Sequence, residues 1–122
     1  MEKNKEQLRD DAKALAVEIC KCCEGLKGCR AQVDQIIRAS SSIGANLREA
    51  KYAQGRQDFI SKLEIALKEA YETEYWLELL FEIAKLDEDT YKALKSKCGS
   101  VRRRIIASVK TVKNGKNVSK ED

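Results

Sequence analysis

Apolar residues recur along this chain at alternating intervals of three and four, in four separate stretches. That spacing places each set on one stripe of a helix. The first stripe is Leu8, Ala12, Leu15, Ile19, Cys22 and Leu26, and predicts a helix over about residues 4–26. Asn4 is its expected N-cap, with Gln7 as capping-box partner, and Gly25 and Gly28 end it. The second is Val33, Ile36, Ser40, Ile43, Leu47 and Ala50, a helix over about 30–53 closed by Gly55. Phe59, Leu63, Ala66, Ala70, Thr73, Leu77, Leu80 and Ala84 give a third over about 57–85. The fourth, over about 88–113, carries Tyr91, Leu94, Cys98, Val101, Ile105, Ser108 and Val112. Asp87 is a good N-cap for it, and Glu88 and Asp89 suit the positive end of its dipole. Gly99 falls inside this helix and permits close packing or marks a bend.

Short connections make successive helices antiparallel neighbours. The prediction is an all-α, up-down-up-down four-helix bundle over residues 1–115, with 116–122 as a disordered basic tail. The absence of proline agrees with long unbroken helices.

Two departures from simple stripes point beyond the core. From Tyr71 to Ala84 the apolar residues cover most of the helix circumference, more than one bundle can bury. Tyr71, Tyr75, Trp76, Leu79 and Ile83 are therefore expected in a contact between subunits, although exposed aromatics can also pack on the stems of neighbouring Lys and Arg. In the second helix, Ser42, Asn46 and Glu49 share one face beside Ile43 and Leu47. An asparagine inside a helix wants a reason. Either the set bonds a neighbouring helix and fixes its register, or it binds a ligand; the first is the ordinary fate of half-buried polar groups.

Composition excludes several classes. No run of apolar residues is long enough to span a bilayer, and no secretory signal follows Met1, so the expected location is the cytoplasm. There is no histidine, which removes His-based triads, Glu-x-x-His metal sites and the commonest general base. No phosphate-binding loop is present, and an enzyme is not expected. The cysteines Cys20, Cys22, Cys23, Cys29 and Cys98 lack zinc-ligand spacing and are expected as free thiols without metal. No cofactor is implied.

Charge changes the picture more. The net charge is only +4, but residues 57–91 carry a net −7 and residues 92–122 a net +8. Antiparallel neighbours can neutralise one another across such a divide. Three consecutive arginines, however, point in three directions around a helix and cannot all face one partner. Arg102, Arg103, Arg104, Lys110 and Lys113 are the expected nucleic-acid contacts, with Arg38, Arg48, Lys51 and Arg56 as a secondary patch. The contact would be phosphate neutralisation without base readout.

The run Gln35-x-x-Arg38-x-Ser40-x-Ser42-Ile43-x-x-Asn46-Leu47-x-Glu49, followed by Asp58-Phe59-Ile60-x-Lys62-Leu63-x-Ile65-Ala66-Leu67-Lys68-Glu69-Ala70-x-Glu72-Thr73-Glu74-Tyr75-Trp76-Leu77, resembles a known family. It is that of the small four-helix-bundle proteins encoded within 23S ribosomal RNA intervening sequences, which includes the accessory variability proteins of diversity-generating retroelements. The likeness is strong over residues 30–84, and the first and fourth stripes match in pattern only. Many members read Asn-Ile-Ala-Glu-Gly where this chain has Asn46-Leu47-Arg48-Glu49-Ala50. The resemblance implies a bacterial, cytoplasmic bundle assembled as a ring-like homopentamer. For the retroelement members it implies a basic surface that binds nucleic acid and a reverse transcriptase. It brings no catalytic residues. Two functions follow: an accessory protein that binds RNA or DNA, or an oligomeric scaffold for other proteins.

Overall fold

The computed structural model describes residues 2–115. These form four helices: α1 (Glu2–Cys23), α2 (Arg30–Lys51), α3 (Arg56–Glu82) and α4 (Glu88–Lys113). Each packs against the next and α1 returns to α4, while among the described residues the diagonal pairs α1–α3 and α2–α4 are kept apart at the backbone level. The turns confirm the alternating direction. At one end Lys85 Nζ, in the α3–α4 turn, donates to the Lys27 carbonyl in the α1–α2 turn at 2.6 Å. At the other, Arg56 at the start of α3 donates to the Val112 carbonyl near the end of α4 at 2.7 Å.

The stripes become the core. Leu15, Ile19, Ile36, Ile43, Leu77, Leu80, Val101 and Ile105 are fully buried, with Ala12, Ala66 and Ala70 allowing close approach between helices. Two buried hydroxyls are satisfied within their own helices. Ser40 donates to the Ile37 carbonyl at 3.4 Å and Thr73 to the Glu69 carbonyl at 2.8 Å, so neither leaves an unpaired polar group inside. Between α3 and α4, Phe81 and Tyr91 stack with ring centroids 4.4 Å apart.

The ends differ from the sequence reading in several places. Asn4 lies inside α1 and not at its cap, and Gln7 bonds Asp11 instead, at 2.9 Å. The helix stops at Cys23, which takes the buried position expected of Cys22; Cys22 and Leu26 only pack against the core's edge. Gly25 and Gly28, at φ +82° and +78°, turn the chain there. Ala53 is buried but lies beyond α2. α3 ends three residues early. Its Lys85 N–H bonds the Leu80 carbonyl at 2.8 Å and its Ala84 N–H the Phe81 carbonyl at 2.9 Å. This paired closure puts Ala84 at φ +64°. Ala84 is exposed, and Leu86 takes its place in the core. Only α4 matches its expected bounds, capped by Asp87, whose carboxylate accepts from the Thr90 N–H at 3.0 Å. The expected tail at 116–122 lies outside the described residues. Among the described residues no helix is long and apolar enough to cross a membrane.

Candidate nucleic-acid interface

The arginine triplet is split three ways, as helical geometry requires. Arg102 turns toward α3, where its Nε lies 3.1 Å from each Glu74 oxygen and its guanidinium 5.4 Å from the Tyr71 ring centroid. Arg104 turns toward α1 and pairs with Asp11 at 2.9 Å. Arg103 points away from the core and makes no ion pair among the described residues. Buried Gly99 leaves room here: a Cβ at that position would meet the Arg103 guanidinium at 3.1 Å and that of Arg102 at 3.6 Å.

The other expected contacts divide in the same way. Lys113 is held by Glu64 at 2.8 Å. Arg38 crosses to α3, where it pairs with Glu69 at 3.3 Å and also with Glu72. Arg56 is spent on the Val112 carbonyl. Lys110, Arg48 and Lys51 are exposed and outside any ion pair among the described residues; Lys51 lies 5.5 Å from the Tyr52 ring centroid. The charge divide between α3 and α4 is thus largely an intramolecular device. Arg103 and Lys110, two turns apart on the outer face of α4, are what remains of the primary patch.

A second group of free cations was not anticipated. An open groove of about 960 Å³ runs between α1 and α2. Lys13, Lys21, Arg48 and Lys51 line it, and none of the four makes an ion pair among the described residues. Glu6, Asp10 and Glu49 line it too, so its charge is mixed. Only its α2 half was legible beforehand. The signal missed was the run of small residues Ser41, Gly44 and Ala45 on the outer face of α2, opposite Ala16.

The polar set behaves differently from its expectation as an inter-helix cluster. The Asn46 amide donates to the Ser42 carbonyl at 2.9 Å, one turn back in its own helix. Only Glu49 reaches a neighbour, at 3.5 Å from Lys62 of α3. Asn46 and Ser42 are half-buried, on the same stripe of α2 as Arg38 and Glu49, which pair with α3.

The surplus apolar surface of α3 is real. Tyr71 and Tyr75 are 51% and 54% exposed and Ile83 is 45% exposed, while Trp76 and Leu79 are half-buried. Tyr75 meets Trp76 edge to face at 4.9 Å, and the indole N–H donates to Glu72 at 3.0 Å. All five cysteines are free, and no described group of His, Cys, Asp or Glu side chains could hold a metal ion.

Residues 4–107 match the family of the 23S rRNA-intervening sequence protein. The chain belongs to that family. A similar solved structure is a protein of unknown function from the S23 ribosomal protein family of Bacteroides thetaiotaomicron. It shares 39% identity, with 88% of this chain and 98% of that chain covered and a TM-score of 0.82. No curated protein matches the chain. Membership in the intervening-sequence family accords with the four-helix fold.

Proposed function

We propose that this intervening-sequence protein is a non-enzymatic, cytoplasmic accessory factor that assembles as a closed ring, a pentamer, and binds nucleic acid through its unpaired cations. The observation that carries the reading is the division of the charges. Most acidic residues of α3 are consumed by cations of α2 and α4, yet Arg103, Lys110, Arg48, Lys51, Lys13 and Lys21 stay outside ion pairs among the described residues. Free Lys and Arg on a chain of pI about 8.8 are available to phosphates. Repetition in a ring turns a few cations per chain into a multivalent surface. The 23S rRNA-intervening sequence membership and the S23 ribosomal likeness favour RNA over DNA. In a retroelement setting the further partner would be a reverse transcriptase.

Binding should be sequence-independent and steeply weakened by salt. Fluorescence anisotropy with labelled RNA and DNA of unrelated sequences, at about 50 and about 200 mM salt, tests it. Similar affinities that fall together with salt are expected; no binding at the lower salt would sink the reading. In that event the exposed ridge of α3 favours the second reading, an oligomeric scaffold for other proteins.

A further inference from the structure

One chain carries two exposed surfaces of complementary shape. The first is the outer ridge of α3, where Tyr71, Tyr75 and Leu79 succeed one another at intervals of four residues, the spacing of a packing ridge. Exposed Glu78 and Glu82 flank it. Glu82 has no ion-pair partner among the described residues, and Glu78 meets only Lys95, at 3.8 Å. The second is the α1–α2 groove. Its floor is made of residues with almost no side chain, Ala16 and Gly44, with Val17 and Ala45 exposed on its walls. A Cβ on Gly44 would already touch the backbone of Lys13 at 3.6 Å, so the helices approach closely and leave only a shallow trough above them.

We infer that the α3 ridge of one copy docks into the α1–α2 groove of the next, so that the chain assembles head to tail. This rests on the oligomeric part of the reading above and names the two surfaces that would make it. A trough floored by small residues accepts a helix presenting large side chains at helical spacing. Tyrosines are suited to such anchoring because they bury much area with few rotatable bonds. Charge selects the pairing. Two ridges facing each other would gather Glu78 and Glu82 of both copies into one contact. In the groove they meet a lining in which cations outnumber acids, with Lys13, Lys21, Arg48 and Lys51 outside ion pairs among the described residues against Glu6, Asp10 and Glu49; docking there leaves Arg103 and Lys110 of each chain for phosphate. A ridge of one copy on the groove of another is a heterologous contact, which forms a ring when the rotation closes.

Sedimentation velocity of the full chain, of Tyr75→Glu, of Ala45→Glu and of their equimolar mixture tests this. Both positions are exposed on helices, and circular dichroism shows whether helicity is kept; Val17→Glu repeats the groove test from α1. Each variant should weaken the junction roughly thirtyfold or more and run as a monomer. The mixture should give a complex of two chains, because the Ala45→Glu chain keeps its ridge and the Tyr75→Glu chain keeps its groove. If Tyr75→Glu dissociates the assembly and both groove variants do not, ridges pack on ridges and the inference is wrong. It is equally wrong if the mixture stays monomeric. A monomeric wild-type chain removes the oligomer altogether, and leaves the nucleic-acid reading to its own salt titration.

Discussion

The Nε of Arg102 lies 3.1 Å from both carboxylate oxygens of Glu74. These side chains are only 24% and 14% exposed. The pair therefore belongs to the α3–α4 junction and not to a free surface, and the arginine triplet cannot act as one unit. Arg102→Gln should cost about 1–3 kcal/mol of stability, because it strands a largely buried carboxylate. It should leave RNA affinity unchanged. The double change Arg103→Gln, Lys110→Gln should do the reverse. Stability should move by less than about 0.5 kcal/mol, while the slope of log affinity against log salt should flatten by up to about 1.5 if both cations contact phosphate. Chemical denaturation and salt-dependent anisotropy on the same proteins separate the two effects.

Asn46 occupies the centre of the segment by which the family is recognised, yet its amide is spent on the Ser42 carbonyl of its own helix. Alanine is the better helix former by a few tenths of a kcal/mol. Asn46→Ala should therefore change the stability of the single chain by less than about 0.5 kcal/mol. A loss above about 1.5 kcal/mol in urea denaturation would show that the amide has a partner outside the bundle as described.

Ala84 is the one non-glycine residue at positive φ among the described residues. The left-handed conformation sets its Cβ against the following carbonyl, at a cost of about 1–2 kcal/mol. The turn needs it there so that the Ala84 and Lys85 N–H groups can close the last carbonyls of α3. Ala84→Gly should stabilise the protein by about 1 kcal/mol. An unchanged melting temperature would mean that the closing turn is not formed in solution.

The same residue shows where the sequence was legible. Ala84 continues the 3-4 spacing of α3 without a break, so periodicity extended the helix over it. Leu86 fills that part of the core from the turn instead. Periodicity specifies which face is buried but not where the backbone stops following it. α4 was read correctly at both ends because Asp87 and Asn114-Gly115 are strong local signals. α1 was misjudged at both, since Asn4 and Leu26 had the right chemistry two residues inside and three residues beyond its ends. The candidate site was less legible for a different reason. Which cation is free depends on which acid lies across the helix junction, and that register is not written in local sequence. Arg48 and Lys51 survived as candidates; Lys13 and Lys21, on another helix, could join them only once α1 and α2 were placed side by side.

The Cys23 and Cys98 thiols should be inert in the native state. Burial pushes Cys23 and Cys98 up to about 12, and burial also raises Cys22. At pH 8 only about one in ten thousand Cys98 thiols would be thiolate, the reactive form. Alkylation of Cys23 and Cys98 should therefore follow unfolding and not precede it. Elemental analysis should find no stoichiometric zinc. Rapid native labelling of Cys98 by iodoacetamide, followed by mass spectrometry, would contradict its burial between α3 and α4.

Stability should fall in acid, with Glu72 as one identifiable cause. Its carboxylate accepts from Arg38 and from the Trp76 indole, and these bonds, Arg38's first, hold it below its ordinary value of 4.5. Asp87, bonded by the Thr90 side chain and N–H, is held below 3.8 in the same way. A carboxylate lowered on folding contributes its stabilisation fully above the unfolded value and loses it as pH drops through the folded one. The melting temperature should hold from neutral pH to about 5.5 and decline below about 4.5. Glu72 is partly exposed, so its share is modest, at about 0.5 kcal/mol. Glu72→Gln should lower the neutral-pH plateau slightly and reduce the acid slope, bringing the two curves together at the pH where Glu72 is protonated in the folded state. Parallel curves down to that pH would show that the Arg38–Glu72 contact contributes nothing to the fold.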